Sequence, residues 1–179
     1  MKIVKAPERM TSKERVRRTY QFEKTDRVPI GYDANPGIDA RLRAVLGVRN
    51  GEELKQALGV DVRGIFAPYI GPQLYHAPEG MRVLELEGAI MRYVEHETGG
   101  YWDYCDFPLK DATEEMLDSF PVPDPDDFDY DAALAMAKAY DGRYGLYVGS
   151  AGEPDIINSN GRIMGMEDTL CYLITEDEA

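Results

Sequence analysis

The chain reads as an α/β protein, a partial TIM-type (β/α) barrel with about three parallel strands plus an inserted β-hairpin. Three observations predict this. Short apolar runs at residues 28–32, 60–67 and 144–149 are bounded by turn residues and separated by helical segments, the arrangement that feeds a parallel sheet. Residues 82–97 alternate apolar and polar side chains around Glu87-Gly88, the period of a hairpin. A whole barrel takes eight strands and about 250 residues, whereas this chain has 179. The Pro-rich stretch from Pro121 to Pro125 is a crossover loop, so residues 1–179 are read without an internal domain boundary.

The elements follow in order. Residues 1–10 are a loose lead-in with Pro7. Thr11 followed by Glu14 is a capping-box pattern that opens a helix. Val16, Thr19 and Tyr20 share one face of it, with basic residues on the other. Asp26 and Arg27 break that helix, and residues 28–32 form a buried strand that ends at Asp33. Ala34-Asn35-Pro36-Gly37 is a turn. Residues 38–46 form an amphipathic helix with Leu42, Val45 and Leu46 inward, and Gly47 ends it. Asn50 and Glu53 cap a helix over 51–58, which Gly59 ends. Pro68 to Pro72 is a rigid loop at the end of the second strand. Tyr101, Trp102, Tyr104 and Phe107 form an aromatic run after the hairpin. Residues 111–120 and 129–140 are helices, the first with acidic residues in its first turn, where the macrodipole favours them. A polar loop is expected over 150–165. A last helix begins at Met166 and reaches Glu178, with Leu170, Leu173 and Ile174 on one face.

Composition narrows the partners. Hydrophobic residues are 44%, enough for a folded chain. A net charge of −13, from 33 acidic and 20 basic residues, argues against nucleic acid and against an anionic membrane surface, both of which need a basic face. Cys105 and Cys171 lie far apart without metal-ligand spacing, and read as reduced packing thiols. With no apolar leader and no apolar segment of spanning length, the expected location is cytoplasmic.

Three segments, in order, resemble the uroporphyrinogen decarboxylase family, including its cobalamin-dependent methyltransferase branch. They are TSKERVRRTYQFEKTDRVPI; then LGVDVRGIFAP with GGYWDYCDFPLKDAT and FPVPDPDDFDY; then YVGSAGEPDIINSNGRIMGMEDTL. The resemblance covers the chain from Thr11 onward. It implies a barrel whose site lies at the C-terminal ends of its strands, with this chain holding the N-terminal half. For the methyltransferase branch it implies a corrinoid protein partner, and zinc held by His and Cys residues of the other half. No cofactor is expected within this chain.

Three functional positions depart from the decarboxylase pattern. Where that pattern has the arginine-rich stretch MRQAGR, this chain has Tyr32-Asp33-Ala34-Asn35-Pro36-Gly37. A tetraacidic porphyrinogen would meet a carboxylate where it needs guanidinium groups. The aspartate after the second strand has its nearest counterpart in Pro68, and the site tyrosine of the third loop lines up with Asn160. The resemblance therefore implies methyl transfer ahead of uroporphyrinogen decarboxylation, the lyase reaction of tetrapyrrole biosynthesis. The alternative to both is a non-catalytic half barrel that forms a homodimer or joins a partner supplying the C-terminal half.

Asp33 is the catalytic candidate, because it follows the first strand at the end where barrel sites form. The competing reading is a turn aspartate that bonds the backbone near Asn35-Pro36. Asn35, Tyr69, His76, Glu153 and Asn160 are candidates for binding a small-molecule substrate. Glu153 and Asn160, with Asn158, follow the third strand; loop solvation is their other reading. His76 is an acid–base or ligand candidate, set against a plain surface histidine because no second ligand is spaced nearby. His96 is expected to face solvent. The aromatic run lines a pocket or covers the open end of a core. Asp124, Asp126 and Asp127 lack the glycine and distal glutamate of a calcium loop, and read as capping and solvation.

Overall fold

The computed structural model describes residues 7–97, 99–149 and 156–175. It is mixed α/β. In chain order the elements are α1 (Ser12–Tyr20), α2 (Pro36–Leu46), α3 (Gly51–Leu58), β1 (Val62–Ile65), β2 (Arg82–Val83), β3 (Ile90–His96), β4 (Gly99–Asp106), α4 (Glu114–Asp118), a 3₁₀ turn (Pro125–Asp127), α5 (Tyr130–Tyr140), β5 (Gly145–Val148), α6 (Ile156–Ile163) and α7 (Met166–Thr175). They divide between two compact units. One holds the chain up to residue 68 together with 129–149, and the other holds 69–128 and the C-terminal helices. Among the described residues the strands form a parallel pair and an antiparallel trio, and no barrel closes.

In the first unit the helices start where their caps place them. Thr11 Oγ1 accepts from the Glu14 N–H at 3.1 Å, Asn35 Oδ1 from Ile38 at 2.9 Å, Asn50 Oδ1 from Glu53 at 2.9 Å, and Asp129 Oδ1 from Ala132 at 2.8 Å. Each satisfies a donor that the first helical turn leaves open. Gly47 and Gly59 end α2 and α3 at φ +68° and +75°, a conformation that glycine adopts without strain. β1 and β5 run parallel, with Val62 opposite Gly145 and Ile65 opposite Val148. α1 and α5 pack against this pair.

Residues 28–32 are not a strand: they run alongside as irregular chain. Pro29 has no N–H for a ladder, and Val28 is 80% exposed. The segment is still tied to the residue that leads into β1. The Ile30 carbonyl accepts from the Asp61 N–H at 2.8 Å, and the Ile30 N–H donates to Asp61 Oδ2 at 2.7 Å. The Asp61 carbonyl in turn accepts from the Gly145 N–H at 2.9 Å. The other two expected strands are present but shorter, at Val62–Ile65 and Gly145–Val148.

The centre of this unit is ionic. Arg15, Asp61 and Arg63 are buried beside Leu54, Val60 and Ile65. Arg15 donates to Asp61 Oδ1 at 2.6 Å, to Asp26 Oδ1 at 2.7 Å and to the Met10 carbonyl at 2.9 Å. Arg27 donates to both Asp61 oxygens and to Glu8. The inner face of α1 is thus built on Arg15, and Tyr20, read on one face with Val16 and Thr19, is 82% exposed. Asp26 and Arg27, expected only to break α1, close this network. Arg63 donates to Glu52 at 2.8 and 3.0 Å and lies 3.8 Å from the centre of the Tyr144 ring.

The second unit is built on the meander β2-β3-β4. Its larger pairing is β3 with β4, from Ile90 opposite Asp106 to His96 opposite Gly99. The hairpin expected around Glu87-Gly88 is the smaller one, since β2 pairs only at Arg82 and Val83. β4 occupies the stretch read as an aromatic lead-in. Its Trp102 ring meets Tyr93 edge-on at 5.4 Å and carries the Arg82 guanidinium at 4.2 Å. Past β4, buried Leu109 donates its N–H to the Ile163 carbonyl at 2.8 Å, which ties α6 to the sheet's end. α6 lies inside the expected polar loop. Asn158, Ser159, Asn160 and Gly161 are weak helix formers, and here packing overrides propensity. α4 is shorter than the expected 111–120 because Thr113, not Asp111, caps it.

Candidate functional site

The site is built from the end of the Ile30 segment, the first turns of α2, and α3. The groove between them has a volume of about 290 Å³ and is lined by Tyr32, Asp33, Pro36, Asp39, Arg43 and Lys55. Asn35 caps α2 and so fixes where that helix begins. From there Asp39 and Arg43, four residues apart, fall on one face. The Tyr32 hydroxyl donates to Asp39 Oδ1 at 2.8 Å, and Arg43 Nε stands 3.8 Å from Asp39 Oδ2. Burial raises the Tyr32 phenol above its ordinary range, and the Asp39 carboxylate adds to the shift. Lys55 reaches the groove from α3 half-buried, and Asp33 is exposed at its rim.

A second groove of about 330 Å³ lies where β1 begins, lined by Glu8, Ser12, Arg27, Gln56, Arg143 and Tyr144. Its Arg27 is engaged by Asp61, Glu8 and the Val28 and Gly59 carbonyls. Hydrogen bonds from Arg15 and from the Arg9 and Met10 N–H groups hold the Asp26 carboxyl well below the usual carboxylate range. Burial alone would raise the Asp61 carboxyl, but hydrogen bonds from Arg27 and the Ile30 N–H outweigh it and keep it low. Groups this fully satisfied hold structure and leave little for a ligand. In parallel α/β sheets, ligands bind at the carboxyl ends of strands. The Ile30 segment is no strand but is bonded to Asp61 at the start of β1, and the Asp33 groove lies past its carboxyl end, so it is the better candidate of the two.

The other candidates have separate settings. Asn35 is adjacent to Asp33, and its side-chain oxygen is engaged in capping α2. Tyr69 belongs to the second unit, where its hydroxyl donates to the Pro72 carbonyl at 2.9 Å and its ring meets Phe128 at 5.3 Å. It holds a chain corner. His76 is exposed in irregular chain, and Asn160 is half-buried within α6 and not in a loop. Glu153 lies outside the described residues. His96 is exposed on β3, as expected. Tyr101 and Tyr104 are 49% and 40% exposed, so the aromatic run covers no closed core. Both cysteines are exposed and not packing residues, because their positions on β4 and α7 face outward. Asp124 caps the 3₁₀ turn through the Asp126 N–H at 2.9 Å, as its capping reading predicted.

Sequence reasoning missed Tyr32, Asp39, Arg43 and Lys55. The i, i+4 spacing of Asp39 and Arg43 was the available signal. Among the described residues no three His, Cys, Asp or Glu side chains converge to hold a metal ion. No described helix is long and apolar enough to cross a membrane. Comparison of the chain with protein-family models, curated proteins and solved structures found no match.

Proposed function

We propose that the chain is the N-terminal portion of a barrel enzyme resembling the uroporphyrinogen decarboxylase family, and that it serves methyl transfer with a corrinoid partner. The observation that carries this reading is the hydrogen-bonded line from Ile30 to Asp61 to Gly145. It sets the irregular Ile30 segment beside the start of β1, and β1 beside β5, an order in keeping with neighbouring segments of a barrel. Asp33 then belongs at the substrate end, and the Arg15–Asp61 network at the opposite, stabilising end.

When bound, the corrinoid partner would supply the methyl group. The acceptor must lose a proton as it gains the methyl, and the Asp33 carboxylate is the group assigned to orient the acceptor and take that proton. The zinc implied by the resemblance finds no donor set among the described residues, so no step is assigned to it. Two assays on the full-length protein that carries this sequence test the reading. Methylcobalamin with a thiol is followed by its visible spectrum, and uroporphyrinogen by porphyrin fluorescence after oxidation. The expected result is methyl transfer without decarboxylation, with Asp33→Asn lowering kcat/KM about a hundredfold. Decarboxylation alone, or methyl transfer indifferent to Asp33, contradicts it.

A second reading is a non-catalytic half barrel that needs a partner. It is favoured by β5, whose Leu146, Tyr147 and Val148 are 39%, 45% and 86% exposed. Light scattering on the isolated chain tests it. A dimer that Val148→Lys dissociates supports it, and a stable monomer contradicts it.

A further inference from the structure

The groove at Asp33 carries two opposite charges that no hydrogen bond or ion pair among the described residues engages. Its other two charges are engaged with each other, since Asp39 accepts from Tyr32 and faces Arg43. Among the described residues, neither the Asp33 carboxylate nor the Lys55 ammonium has a hydrogen-bond or ion-pair partner. They line one groove without pairing with each other. Opposite charges on different elements of one groove, neither paired, favour a ligand that engages both, because a ligand with a single charge leaves the other uncompensated.

We propose that this groove binds a small zwitterion, a molecule of amino-acid size with its ammonium on Asp33 and its carboxylate on Lys55. The volume of about 290 Å³ accommodates a ligand of that size. The proposal rests on reading Asp33 as a site residue, and it names the class of acceptor that the site would hold. Ligand and groove exchange charge for charge, so binding leaves no uncompensated group on either side.

The test is calorimetric titration of the chain with glycine, β-alanine, γ-aminobutyrate and ε-aminocaproate, with butylamine and butyrate as single-charge controls. One amino acid of the series is expected to bind more tightly than either control. Asp33→Asn and Lys55→Met should each weaken it at least about tenfold, with circular dichroism spectra like the wild type's. The proposal is overturned if no amino acid binds at about 10 mM, or if the best one binds both variants as tightly as the wild type. A bound zwitterion in a protein without methyl transfer defeats only the activity reading. Methyl transfer that depends on Asp33, with no zwitterion bound, defeats only this one.

Discussion

Asp61 accepts hydrogen bonds from two guanidinium groups and a backbone N–H while fully buried. Removing one side of such a pair leaves a buried charge uncompensated, at a cost of about 3–5 kcal/mol. Asp61→Asn and Arg15→Met should therefore destabilise the first unit by that amount in urea unfolding. The pH dependence has a definite sign. Asp26 and Asp61 both have folded-state pKa values below their unfolded ones. Their stabilisation is present above the unfolded value of about 3.9 and is lost as pH falls through the folded values. Stability should thus hold from about pH 7 to 5 and drop below about pH 4, and urea midpoints across that range check it. Arg15 meets Asp61 across 46 positions. A pairing at that range leaves no local pattern in the sequence, which is why α1 read as an apolar-faced helix. Gly145 is another residue whose role emerges only in three dimensions. An added Cβ would lie 2.8 Å from Val16 Cγ1, so Gly145→Ala should cost about 1–3 kcal/mol.

Helices whose boundaries depend on side chains a few positions away were legible. Thr11 and Asn50 cap where the sequence suggested, Asp129, read as the first helical residue, caps α5, and Gly47 and Gly59 end α2 and α3. Asn35 was read as a binding residue, yet its oxygen caps α2. The two roles separate by substitution. Asn35→Ala should cost about 0.5–2 kcal/mol, while Asn35→Asp, which keeps a capping oxygen, should cost little. Circular dichroism with urea measures both. Strands were harder to place, because their partners are distant. β4 was hidden in an aromatic run, and residues 28–32 look like a strand until Pro29 is counted as a missing donor. α6 was hidden by Asn, Ser and Gly, whose low propensities count for less than the contacts made at Leu109 and Gly165.

At the scale of the whole molecule, mixed α/β structure and the inserted antiparallel strands were legible, because periods of two and 3.6 residues are local signals. The partition into two units was not, since it depends on which segments pack together. In the first unit, stability and proposed function fall at opposite ends of the same segments, with Asp61 leading into β1 and Asp33 following Ile30. Urea unfolding of Asp33→Asn and Asp61→Asn beside the wild type tests that division most directly. Asp61→Asn should lose about 3–5 kcal/mol, while Asp33→Asn should stay within about 0.5 kcal/mol of the wild type, as an exposed residue free of structural duty does. If Asp33→Asn destabilises the unit as much as Asp61→Asn does, Asp33 is a turn-forming aspartate, and the groove it lines is not the site.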